Sequence, residues 1–192
     1  MSRTFNFLDR LQARTALLAI GPATLRNQGA PGVVLAARKY LRAMNLKEFS
    51  VRTRSHFEET LERHTQQLMK CFPDGARHNW GAARKALNIF LRDVVYNRPL
   101  SMHYRLLNLE PWLELPLDRN SYDGLAEDSA KYKTLTRWPR VKGLDAQVSA
   151  ELQAAAQAIA TCLHTRRIHL DVKYWRKKAI DDLKGSSCAS AK

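Results

Sequence analysis

The chain carries 192 residues, 45% of them hydrophobic, and a formal net charge of +14 from 32 Lys and Arg against 18 Asp and Glu. That length and apolar content suit one domain with a proper core and exclude a disordered polybasic tail. A balance this basic points to a polyanion partner, with DNA or RNA ahead of an anionic membrane surface or an acidic protein, and no stretch approaches the roughly 18 apolar residues of a membrane span.

Glycine is scarce, long β-branched runs are absent, and Ala, Leu, Arg and Gln are plentiful. This composition predicts an all-α fold, a single-domain bundle of about six to seven helices over residues 1–184 with a loose tail at 185–192. In chain order, Leu8, Leu11, Thr15 and Leu18 mark a first helix over 5–20, stopped by Gly21-Pro22. A second helix is predicted over 33–44, after the loop 27–32. A third spans 54–71 with Phe57, Leu61, His64 and Leu68 on one face. After the turn Pro73-Asp74-Gly75, Asn79 caps a fourth over 79–96, striped by Trp80, Ala83, Leu87, Phe90, Leu91 and Val94. A short helix follows Pro99 and runs through Leu107, and Pro111 and Pro116 hold 109–117 mostly extended or turned. Residues 118–128 read as a polar connector with at most one helical turn. Asp145 caps a fifth long helix to Leu163, and a last helix runs over 170–183, with Val172 and Trp175 among its core positions and Lys173, Tyr174 and Lys177 facing outward. The distant cysteines form no CxxC or finger spacing and the N-terminus has no secretory layout, so reduced thiols and a cytoplasmic location are expected, with Cys71 and Cys162 in the core and Cys188 in the tail.

Charge is uneven along the chain. Between residues 109 and 130 the sign reverses, where Glu110, Glu114, Asp118, Asp123, Glu127 and Asp128 oppose Arg119 alone. On the fourth helix Arg84, Lys85, Asn88 and Arg92 share a flank suited to phosphates or base edges, and Arg77 and His78 add donors at its N-terminus. A second basic group comprises Arg166, Arg167, Lys173 and Lys177, interleaved with Tyr174 and Trp175. Candidate catalytic carboxylates are Asp118, Asp123 and Asp171, Asp171 also fitting a helix cap or a pairing with Arg166. The six histidines show no metal-ligand spacing, and no glycine-rich phosphate loop, nucleophile elbow or catalytic-cysteine context is present, so no metal or cofactor is expected.

Four segments, residues 78–92, 113–118, 137–142 and 168–171 with Trp175, resemble motifs in a set of uncharacterised bacterial helical proteins. The resemblance covers about the last 115 residues and implies a common helical fold in which the four segments meet, and no activity. Arg119 follows Asp118 where that set carries a hydroxyl residue. The order of a helix, a loop with an Asp and a late His-Leu-Asp helix also resembles helical DNA glycosylases, which pair an Asp with a Lys or an activated water; their helix-hairpin-helix glycine pattern is absent here. The first functional expectation is therefore a protein that binds nucleic acid through its phosphate backbone. A nucleic-acid-processing enzyme, glycosylase-like or a nuclease, is the second, and an adaptor for an acidic protein is the third.

Overall fold

In the computed structural model, residues 5–129 and 135–175 are described. They form eight α-helices joined by short 3-10 turns, with no strand among them. Helix α1 (Phe7–Ala19) starts where the Asn6 side chain accepts from the Leu8 and Asp9 amides. At its end Arg38 donates to the Ile20 carbonyl. Helix α2 (Val33–Ala43) is tied back to α1 by Gln12, whose amide donates to the Leu41 and Met44 carbonyls. Helix α3 (Arg54–Cys71) occupies the predicted span and buries Phe57, Leu61, His64 and Leu68.

Helix α4 (Trp80–Tyr96) opens on Asn79, whose side chain accepts from the Ala82 amide. It is buried nearly all round: only Arg84, Ile89, Arg92, Asp93 and Tyr96 escape full burial. A helix in that position belongs to the middle of a bundle. On one side α1, α2, α3 and α5 (Arg98–His103) pack a core around Leu87, Phe90, Leu91 and Val94. On the other, Trp80 joins a second core built from Leu115, Leu117, Leu125, Leu152, Ala156, Leu170 and Tyr174. These come from the extended 113–117 segment, α6 (Arg119–Ser129), α7 (Ala146–Cys162) and α8 (Leu170–Tyr174). Gln153 on α7 secures the extended segment by accepting from the Leu115 amide and donating to its carbonyl.

Two glycines permit close approaches. A Cβ on Gly81 would stand 2.0 Å from the Val141 carbonyl oxygen, so a side chain there would force the 3-10 turn Val141–Gly143 off α4. A Cβ on Gly124 would stand 2.2 Å from the Tyr174 ring, which fixes α6 against α8.

Several expectations are corrected. The connector at 118–128 is the eleven-residue helix α6. Asp118 and Ser121 cap it reciprocally, each amide donating to the other's side chain, and Leu125 anchors it in the second core. On α8 the buried residues are Leu170 and Tyr174, whereas Val172 and Trp175 are exposed, so the predicted stripe is reversed. Tyr174 turns inward because its hydroxyl donates to Asp128 at 2.6 Å. Cys71 and Cys162 are exposed; at the end of α3 the larger Phe72 takes the inward position as the chain leaves the helix. The predicted continuation of α8 to residue 183, Lys177, Cys188 and the tail 185–192 lie outside the described residues.

Candidate functional site

Most of α4 is withdrawn from water, and a charge withdrawn from water requires partners. The structure therefore splits the predicted basic flank in two. Arg84 and Asn88 turn toward Glu114. Arg84 makes a forked contact, Nε to Oε2 at 3.0 Å and Nη2 to Oε1 at 3.2 Å, and Asn88 donates to Oε2 at 2.8 Å. Arg84 Nη1 also reaches Thr65 at 2.9 Å and Glu62 at 3.3 Å, and its guanidinium lies 5.0 Å from the Trp80 ring centre. This is an internal polar network, not a surface for phosphate, which corrects the expectation for Arg84 and Asn88.

Lys85 and Arg92 point the other way, into a cleft of about 560 Å³. Its walls are the end of α1 and the following loop (Leu18, Ala19, Ala23, Thr24), α4 (Lys85, Ile89, Arg92, Asp93), the start of α6 (Asp118, Asn120) and α8 (Asp171, Val172, Trp175). Lys85 is buried, with Nζ 3.1 Å from the Thr24 carbonyl and 3.2 Å from Asp118 Oδ2. Arg92 is gripped between Asp93, 2.7 Å from Nη2, and Asp171, which takes Nη1. Both cations are thus engaged by carboxylates, and neither stands on an outward basic face.

Two of these carboxylates, Asp171 and Asp93, are affected by burial. Burial pushes the Asp171 carboxyl above its ordinary range; Arg92 opposes this, and nearby Asp118 adds to it. Burial likewise raises Asp93 against the pull of Arg92. Burial alone would lower Arg92, but Asp171 and Asp93 outweigh it and its pKa rises. Carboxylates paired with an arginine and a lysine, in a cavity open to solvent, can take a proton from water or stabilise positive charge developing on a bound molecule.

The remaining candidates lie elsewhere. Arg77 is exposed and paired with Asp74 at 3.0 Å, and His78 beside it is exposed. The α4 N-terminus between them and the helix body is occupied by the Asn79 cap and overlaid by the Val141 carbonyl. Arg166 is exposed, but Arg167 is buried and donates to the Trp112 and Leu113 carbonyls, with its pKa lowered by burial. Lys173 pairs with Asp128. Asp123 is exposed on α6, 2.8 Å from Arg119 and not among the residues lining the cleft. Asp171 is neither a cap nor a partner of Arg166; its partner is Arg92.

Sequence reasoning passed over Asp93, Thr24 and Asn120. Asp93 was detectable as an acid next to Arg92 on the cleft face of α4, one turn on from Ile89. Residues of 78–92, 113–118, 137–142 and 168–171 are in contact, through Arg84 with Glu114, Lys85 with Asp118, Arg92 with Asp171, and Gly81 beneath Val141. Among the described residues no group of three or more His, Cys, Asp or Glu is placed to hold a metal ion, and no helix is long and apolar enough to cross a membrane. Comparison with protein-family models, curated proteins and solved structures yields no match to the chain.

Proposed function

We propose that the protein engages nucleic acid through its outward-facing cations and processes it in the α1–α4–α6–α8 cleft, with Asp171 and Asp118 as the working carboxylates. The observation that supports this is the meeting of those two residues, 53 positions apart in sequence, with Lys85 and Arg92 in one solvent-open cavity. The reaction class that fits is hydrolysis of a glycosidic link. Three carboxylates against two cations leave the cleft net negative, which favours positive charge developing on a sugar and disfavours a further negative charge on a phosphodiester. Asp171, ionised, accepts the proton of the attacking water. The C1′–N bond breaks as C1′–O forms, the base departs with the bonding electron pair and takes a proton from solvent, and Asp171 returns its proton to solvent.

The outer surface favours a second reading, binding without chemistry: among the described residues, exposed Lys and Arg outnumber exposed Asp and Glu more than twofold. One experiment separates the two. Single-stranded DNA, duplex DNA and RNA are incubated with the protein, with and without Mg²⁺, then assayed for released base and for strand scission. The processing reading expects product from the wild type, at least about a hundredfold less from Asp118→Asn and Asp171→Asn, and retained binding. Tight binding without product in all three proteins supports the backbone binder. A pull-down that survives nuclease treatment, with no nucleic-acid affinity, supports a protein adaptor.

A further inference from the structure

Resting on the reading of the cleft as a nucleic-acid site, we infer that it receives a single unpaired base whose edge carries an exocyclic amino group, and that it excludes phosphate. Charge is the first ground. A phosphate needs free donors, and the cleft's two cations are already committed, Lys85 to Thr24 and Asp118, Arg92 to Asp93 and Asp171. A phosphate placed there would also face three carboxylates. The wall is instead rich in acceptors, and its complement is a neutral group that presents N–H donors. Carboxylates accept from an amino group of this kind, as they do from the cytosine amino group at a base edge.

Shape is the second ground. Leu18, Ile89 and Val172 give the cleft an apolar wall beside its charges. A planar heteroaromatic ring has an apolar face for such a wall and a polar edge for the carboxylates. A volume of about 560 Å³ is in the range of small-ligand sites and is too small for a base-paired segment. The base must therefore come from a single strand or be turned out of the stack. The outward cations then hold the backbone outside, which divides the labour between surface and cleft.

Nucleosides test this without any turnover. Binding of adenosine against purine riboside, and of cytidine against uridine, is measured by calorimetry on the full chain, with inorganic phosphate as competitor. The amino-bearing member of each pair is expected to bind at least about tenfold tighter, since only it offers amino N–H donors to the carboxylate oxygens lining the cleft. Phosphate should not compete, and Asp93→Asn should shrink the preference. Equal binding within both pairs, or displacement by phosphate, overturns the inference. The two proposals fail separately. Discrimination among nucleosides with no product from any polymer defeats the processing reading alone, and carboxylate-dependent product without discrimination defeats this inference alone.

Discussion

Arg84 is more than a charged residue on a helix. Its guanidinium satisfies Glu114 with a fork, holds Thr65 and Glu62, and stacks on Trp80, with both Arg84 and Glu114 side chains only 12% exposed. Removing it leaves a nearly buried carboxylate without its counter-charge. Arg84→Ala is expected to destabilise the fold by about 3–5 kcal/mol, read from the shift in urea midpoint. Adding Glu114→Gln should recover part of that loss, because the stranded charge disappears; a strictly additive double mutant would show the pair to be uncoupled. The same reasoning means that charge reversal at Arg84, Lys85 and Arg92 would report unfolding rather than lost binding. Gly81→Ala tests the other kind of constraint, contact without charge. Its Cβ meets backbone at Val141, which cannot rotate aside, so a loss of about 1–3 kcal/mol is expected.

Among the elements, α2 and α3 are linked by a cluster that gives the fold a pH response. His64 on α3 is buried, with Nδ1 2.6 Å from the Tyr40 hydroxyl and its ring stacked on Phe49 at 5.0 Å. Nε2 lies 3.3 Å from Glu48 but without hydrogen-bond alignment. Burial lowers the His64 pKa from 6.5; Glu48 opposes the shift and Arg63 assists it. A histidine with a depressed folded pKa binds its proton more readily when unfolded. Its stabilisation is therefore present above about pH 6.5 and is lost as pH falls through the depressed value. The melting temperature should fall over that window, and His64→Gln should flatten the fall; an identical pH profile in the variant would remove His64 as the cause. At the other end of the molecule, Gly124→Ala should push the Tyr174 ring from α6 and separate Tyr174 from Asp128, loosening α8 and Asp171 with it. Helix α6 was visible in part beforehand, since Asp118-x-x-Ser121 is a helix-start pattern and Leu125 follows it. Its polar composition hid it, because part of what fixes a short amphipathic helix is the face it covers, here the second core that takes Leu125.

At the scale of the whole molecule, the fold sorts its charges. Glu48, Glu62, Glu114, Asp118 and Asp171 are all at least partly withdrawn from solvent, several against Arg84, Lys85 and Arg92, while most other Lys and Arg stay exposed. The outside is consequently strongly cationic even though the most conspicuous basic helix face is interior. If that outside binds nucleic acid, affinity should fall steeply with salt, and log K against log salt should flatten by about one for each phosphate contact removed. Arg14, one turn before Leu18 on α1, and Arg26, just beyond Thr24, are exposed near the cleft walls and are the positions to reverse. Arg14→Glu with Arg26→Glu should weaken binding to unrelated sequences alike; unaltered affinity and slope would put the backbone contacts elsewhere.

Helix spans, caps and the basic balance were legible from the linear chain because they are short-range or compositional. Asn79 caps a helix whose first amides lie within three residues of it, and the stripe of α3 repeats every turn. Which way Arg84, Lys85 and Arg92 face was not legible. Their partners stand 30, 33 and 79 positions away, and nothing local distinguishes a solvated basic flank from one that closes on carboxylates brought in by other helices. Packing α4 between two cores made that choice: as most of the helix was withdrawn from water, its charges closed on counter-charges from other helices, and the cleft lies where several of them meet.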